Sequence, residues 1–356
     1  MPDFTHVVAR VIRKAGREHP ADAVLRSELR EARWLTPAHR SEISRAVFDY
    51  YRWFGWLDPR ASLRDQIAQA AELARRGAQK FGDEELITKS VPGWLSQTMD
   101  VRATFARALQ SRPKLWLRAR KGQGIELAQR LGHCKPSSVP DAIEYAGKED
   151  LFQRPEFKGG EFEIQDINSQ MVSRIADPRP GETWWDACAG EGGKTLHLSA
   201  LMDNKGLIWA SDRTSWRLDK LKRRAARARV FNYRVAPWNG DTRLPTKTKF
   251  DGVLIDAPCS GVGTWQRNPH ARWTTTANDA IELAETQKKL LSNAVSAVKP
   301  GGKLVYAVCT MTRAETSEIA QWFTEAEPEF APVSATLLRL EETGGNGMLV
   351  SVWKRR

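Results

Sequence analysis

From about residue 161 to the C-terminus, short apolar runs alternate with longer segments of helical spacing, and this alternation constrains the fold more than any other feature of the chain. The runs "TWWDACAG", "GLIWASD", "YRVAPWN", "DGVLIDAP" and "GKLVYAVC" read as strands, and "GKTLHLSALM", "SWRLDKLKRRAARAR" and "ETQKKLLSNAVSAV" as the helices between them. Strands that alternate with helices are joined by crossovers, which gives a parallel sheet covered on both faces. The expected fold class is α/β, with a doubly wound Rossmann-like domain over residues 161–356. Ligands of such sheets bind beyond the carboxyl ends of the strands, so the residues just after each strand carry the candidate chemistry.

The chain before this domain reads differently. Residues 1–88 place apolar positions at helical spacing, as in "ADAVLRSELREARWL" and "SEISRAVFDYYRWFGWL", and form an all-helical region. Pro92 and Gly93 mark a junction. Beyond it, "PKLWLRARKGQGIELAQRLGHC" and "FEIQDINSQMVSRIA" each read as a strand followed by a helix, giving a small α/β unit over residues 89–160.

The 55 Lys and Arg exceed the 43 Asp and Glu among 356 residues, for a formal charge of +12. Such an excess favours a polyanionic partner, because cations meeting phosphates release condensed counterions. The stretch "KLKRRAARARV" at 220–230 concentrates the charge, as a solvated helix face or as a nucleic-acid contact around Arg223 and Arg224. Most of the fourteen tryptophans are expected in cores and interfaces. The four cysteines, Cys134, Cys188, Cys259 and Cys309, form neither a Cys-x-x-Cys pair nor a set at zinc spacing, so no metal is expected. The N-terminus has no apolar signal core and no stretch reaches membrane-spanning length, so the expectation is a soluble, cytoplasmic monomer that does not engage a membrane.

Each strand end carries a candidate. After the first, Cys188, Ala189, Gly190, Glu191, Gly192, Gly193 and Lys194 form a glycine turn before a helix, where backbone can approach a ligand; the spacing is not G-x-G-x-x-G. The second ends in Asp212, suited to the two hydroxyls of a ribose. The third is followed by Asp241 and the fourth by Asp256. Each aspartate alone also suits a helix cap. Together they favour an adenosine-containing ligand without a strong phosphate cradle, S-adenosylmethionine rather than a nicotinamide dinucleotide. The fourth strand end adds Cys259 and the fifth Cys309, and the two strands are neighbours in this topology.

The stretches "FEIQDINSQMVSRIADPRPGETWWDACAGEGGKTLHLSA", "DAPCSGVGTWQRNP" and "ETQKKLLSNAVSAVKPGGKLVYAVCTMTRAETSE" resemble the NOP/Sun family of RNA (cytosine-5) methyltransferases. The resemblance runs from about Lys89 onward, and "LTPAHRSEISRAVFDYYRW" more weakly resembles the NusB-like RNA-binding region of bacterial members. It implies a Rossmann-like class I methyltransferase domain with a NusB-like helical region before it and a small α/β unit between. It also implies S-adenosylmethionine as methyl donor and RNA, ribosomal RNA foremost, as partner. Residues 188–194 then hold the donor, Asp212 and Asp241 its ribose and adenine, and Asp256 stands between donor and base. Lys194 helps to orient the cytosine. The sequence departs from the family at Glu191, where proline is frequent, and in "MTRAETSE" after Cys309.

Carbon 5 of cytosine is a poor nucleophile, and covalent addition of a thiolate to carbon 6 makes it enamine-like. The resemblance implies that Cys309 attacks and that Cys259, aimed by Pro258, assists release of the adduct. The competing assignment reverses the two, as in DNA cytosine methyltransferases. Cys188 and Cys134 suit packing, and the loop with Arg267, Pro269 and Arg272 suits an RNA-backbone contact, closure of the pocket or a plain surface. An amino-group methyltransferase is a competing enzyme class, although its strand end usually reads Asn/Asp-Pro-Pro-aromatic. A competitor of another class is a catalytically silent RNA-binding ribosome assembly factor that kept the fold.

Overall fold

The computed structural model describes residues 4–356, which fall into two compact units. One takes the described residues up to Pro113 together with Gly261–Asp279, and the other takes Lys114–Ser260 with Ala280–Arg356.

The first unit is helical. Its helices include Thr5–Lys14, Ala21–Glu31, Pro37–Arg52, Leu63–Arg76, Asp83–Lys89 and Ala103–Leu109. Local chemistry starts two of them: the Thr36 hydroxyl accepts from the His39 N–H at 3.3 Å ahead of Pro37, and the Ser62 hydroxyl accepts from the Asp65 N–H at 3.2 Å. Ile43, Val47, Trp53 and Leu86 form its apolar centre, and Ala106 joins the same cluster. That shared burial groups the short helices Leu95–Thr98 and Ala103–Leu109, which follow the Pro92–Gly93 break, with the helices before them.

Gly261–Asp279 belongs to this unit for a similar reason. Its short helix Pro269–Thr274 carries Arg272, which has no exposed surface. The Arg272 guanidinium donates to the carbonyls of Ser90 and Leu109, each at 2.9 Å, and of Arg52 at 3.3 Å. Burial, and to a lesser extent Arg52, pushes its pKa down to about 9. An arginine spent on backbone carbonyls is a structural tie of the helical unit, so the RNA contact allowed for Arg272 in the sequence is corrected.

The second unit contains two sheets. In the smaller, β1 (Leu115–Ala119), β2 (Cys134–Pro136), β3 (Ala142–Tyr145) and β4 (Phe162–Ile164) run in the order β2-β3-β1-β4, antiparallel throughout. The larger holds β5 (Thr183–Asp186), β6 (Leu207–Ala210), β7 (Tyr233–Val235), β8 (Phe250–Asp256), β9 (Val298–Val308), β10 (Phe330–Leu338) and β11 (Met348–Arg355). Its order is β10-β11-β9-β8-β5-β6-β7. The five strands read from the sequence pair in parallel, and β10 and β11 add an antiparallel edge beyond β9.

Two apolar clusters cover the larger sheet. Trp185, Val253, Ile255, Leu304 and Tyr306 lie in one, and Trp184, Leu254, Val305 and Ala307 in the other. Successive residues of a strand point to opposite faces, so continuous apolar runs mark strands buried on both sides. Among the described residues no helix is long and apolar enough to cross a membrane.

Candidate active site

The site begins where β5 stops. Asp186 is fully buried, and its Oδ2 accepts from the Thr195 hydroxyl at 2.6 Å. Burial, reinforced by Asp256 and Asp212, pushes its carboxyl up to about 7. The chain then turns through Gly190 and Gly192, both in the left-handed region at φ +54° and +87°. A Cβ on Gly192 would lie 2.6 Å from Leu221 Cγ, so only glycine fits there. A Cβ on Gly190 would meet nothing within 4 Å, which leaves open space above the turn.

Helix Gly193–Leu201 starts at this turn and carries Lys194. Arg118, buried on β1, donates to the Gly193 carbonyl at 3.2 Å and to Gln165 Oε1 at 2.8 Å. From β6, Asp212 Oδ2 accepts from the Gly190 N–H at 3.0 Å, and its Oδ1 accepts from the Thr214 N–H at 2.8 Å. One carboxylate thus fixes both the glycine turn and the entry to helix Ser215–Ala228.

Lys194 Nζ donates to Asp256 Oδ2 at 2.5 Å. Burial would lower the lysine's pKa, but Asp256 above all, with Cys309 and Asp186, raises it above the ordinary value. Beyond Asp256, Cys259 Sγ lies 3.2 Å from Cys309 Sγ, which follows β9. The parallel pairing of β8 with β9, in which Asp256 stands opposite Ala307, sets the two cysteine segments side by side.

The turn suits S-adenosylmethionine. Open space at Gly190 and a buried carboxylate at Asp212, each oxygen of which binds one N–H and retains a lone pair, are what an adenosine with two hydroxyls requires. Among the described residues no group of His, Cys, Asp and Glu could hold a metal ion.

Residues 173–349 match the family model described as 16S rRNA methyltransferase RsmB/F. The chain belongs to the NOP/Sun family. It is 35% identical over 246 residues to the probable ribosomal RNA small subunit methyltransferase B of Synechocystis sp., covering 64% of this chain and 54% of that protein. It is 34% identical over 203 residues to the tRNA (cytosine(72)-C(5))-methyltransferase NSUN6 of Mus musculus, covering 52% of this chain and 40% of that protein. The chain spans about half the length of the curated relatives it matches. The crystal structure of PH0851 shares its fold, with a TM-score of 0.79, 23% identity and full coverage of both chains.

In this NOP/Sun chain the other expected residues have local partners of their own. Asp241 is exposed, and its Oδ1 accepts from the Arg243 N–H at 3.1 Å in the loop after β7. Glu191 is paired with Lys220 at 2.7 Å. Cys188 packs on the apolar cluster of Trp185, and burial, then Asp186, Asp256 and Asp212, pushes its thiol upward.

Arg224 overturns its reading as a phosphate contact. It pairs with the buried Glu163 at 2.8 Å and donates to the Glu191 carbonyl at 2.9 Å. Arg227 binds the same glutamate, whereas Lys222 and Arg223 are exposed. Sequence pattern does not single out Asp186, Arg118, Gln287 or Glu315. Their hydrogen-bond partners, such as Gln165 for Arg118, Thr195 for Asp186 and Ser260 for Glu315, lie on other segments, which periodicity does not reveal.

Proposed function

We propose that this chain methylates carbon 5 of a cytosine in RNA, with S-adenosylmethionine as donor and small-subunit ribosomal RNA as the first substrate to test. The observation that carries this reading is the 3.2 Å separation of the Cys259 and Cys309 sulfurs at the ends of adjacent strands, beside the Lys194–Asp256 pair. One thiol suffices for a nucleophile; two in one place suit a reaction that must both add to a base and be released from it.

In this reading Cys309, as thiolate, forms a bond to carbon 6, and the carbon 5–carbon 6 π electrons shift onto carbon 5 and, by conjugation, ring nitrogen 3. Lys194 and Cys309 interact electrostatically, so a cation stands by the attacking sulfur. Asp256, held by Lys194, faces the base edge and takes a hydrogen bond from its amino group. Carbon 5 attacks the electrophilic methyl group of the donor, whose sulfonium leaves as a neutral thioether. Cys259, as thiolate, then takes the carbon 5 proton, the double bond re-forms and Cys309 leaves as thiolate. Gly190 and Asp212 would hold the donor's adenosine, and the helical region would grip RNA. A paired target base would first have to leave its stack.

The test is incubation with small-subunit ribosomal RNA and methyl-labelled donor, followed by digestion to nucleosides. Label in 5-methylcytidine is expected. RNA binding with no labelled nucleoside would favour the silent assembly factor.

A further inference from the structure

Glu315 has no exposed surface, although it is a glutamate in the loop after β9. Burying a carboxylate is costly unless hydrogen bonds replace its hydration, and here four donors do so. Its Oε1 accepts from the Ser260 N–H at 2.8 Å and from Gln287 Nε2 at 3.0 Å. Its Oε2 accepts from the Ser260 hydroxyl at 2.5 Å and from the Thr312 hydroxyl at 2.9 Å.

These partners belong to both cysteine segments. Ser260 follows Cys259 directly, while Glu315 and Thr312 lie just beyond Cys309. The Ser260 hydroxyl also lies 2.9 Å from that of Thr310, the residue next to Cys309. The network is anchored to regular structure behind it. Gln287, buried on helix Ala277–Ala294, donates to the Pro258 carbonyl at 2.9 Å as well as to Glu315. The hydroxyl of Tyr306, buried on β9, donates to the Glu315 carbonyl at 2.7 Å and lies 2.8 Å from Gln287 Oε1.

We infer that Glu315 is a positioning residue that clamps the two cysteine segments together and so sets the separation of the thiols. Its consequence for catalysis rests on the proposed methyl transfer, but the geometry is independent of it. Pairing of β8 with β9 ends at Asp256 and Ala307, and pairing of β9 with β11 ends at Val308, so neither cysteine is itself held by a sheet ladder. A carboxylate is suited to the task because it is the one side chain of this length that accepts from four donors at once.

The test uses the full chain without RNA or donor. Diamide converts two neighbouring thiols to a disulfide, taking two protons and two electrons and becoming the hydrazine. Peptide mass spectrometry then reads formation of the Cys259–Cys309 bond, normalised to the alkylation rate of each thiol by iodoacetamide. Wild type is expected to form it readily. Glu315→Ala should slow it by about tenfold, as loss of positioning does for an intramolecular step, and Glu315→Gln, which keeps one acceptor oxygen, should recover most of the rate. If the alanine variant does not fold, Thr312→Val removes one of the four donors at nearly unchanged shape, with slowing of about threefold expected.

Disulfide formation at the wild-type rate in a folded Glu315→Ala or in Thr312→Val overturns the inference, as does a Glu315→Gln no faster than alanine. The two readings fail separately: wild type without methyl transfer sinks the proposed reaction and leaves the clamp, and active wild type with an unmoved disulfide rate sinks the clamp alone. In an active enzyme Glu315→Ala should lower kcat about tenfold or more and leave donor affinity unchanged.

Discussion

Lys194 Nζ and Asp256 Oδ2, separated by 62 residues in the chain, lie 2.5 Å apart, and the lysine is the more deeply buried partner. Removal of Asp256 therefore strands an ammonium, whereas removal of Lys194 leaves a carboxylate whose side chain is 29% exposed and is solvated. Asp256→Ala should cost about 2–4 kcal/mol in urea unfolding and Lys194→Met less, with the double variant less destabilised than the sum. Because the lysine's folded pKa is raised above its ordinary value, its share of the pair's stability is present below that ordinary value and is lost as pH rises through the raised one. Additive losses would contradict the pairing.

Asp186 predicts a pH dependence of the opposite kind. Its folded carboxyl titrates near 7 against an ordinary value of 3.8, so between those values the folded chain holds a proton that the unfolded chain has lost. Stability from this group falls as pH rises through that window, by at most about 1.4 kcal/mol per pH unit. Asp186→Asn, compared with wild type by urea unfolding at a series of pH values, should remove that slope and be relatively more stable at pH 8 than at pH 4. A parallel pair of curves would contradict it.

Asp212 accepts from two backbone N–H groups, so its loss disturbs the turn as well as the ribose contact. Asp212→Ala should weaken S-adenosylmethionine binding by about 1.5–3 kcal/mol in calorimetry, and Asp212→Asn by roughly half as much. Unchanged affinity in a folded alanine variant would remove Asp212 from the donor site.

The two adjacent arginines of the basic helix should behave differently. Arg223 is exposed, so Arg223→Ala should leave stability within about 0.5 kcal/mol and reduce the salt slope of RNA binding by roughly one. Arg224→Ala leaves Glu163, whose side chain is only 6% exposed, with Arg227 alone, and should cost about 2–4 kcal/mol. Equal stability of the two variants by thermal unfolding would contradict the inward role of Arg224.

What the sequence discloses follows from what each residue type reports. Runs such as "DGVLIDAP" announce a strand buried on both faces, and strand-end residues follow from the topology of parallel sheets, which is why the amino-acid sequence alone marks Cys259 and Cys309 as neighbours. The antiparallel edge of β10 and β11 escapes that pattern. Eight register pairs hold those strands together, but most of β10 is exposed or half-buried, so its composition carries a weak apolar signal. Charged residues are the least legible. "KLKRRAARARV" does not say that Arg224 turns inward, because the reason, Glu163, lies 61 residues away. Glu315 and Arg272 are hidden for the same reason, since a buried ion looks like a surface one until its partners are known.

The measurement closest to the central claim sets the two thiols against each other on a denaturing gel with RNA and S-adenosylmethionine. Cys309→Ala cannot form the bond to carbon 6 and should give no covalent protein–RNA species. Cys259→Ala should attack and methylate, then stall, so that a covalent species accumulates, and the double variant should behave as Cys309→Ala does. Accumulation in Cys309→Ala instead would reverse the roles, and full methyl transfer by both single variants would contradict the covalent mechanism altogether.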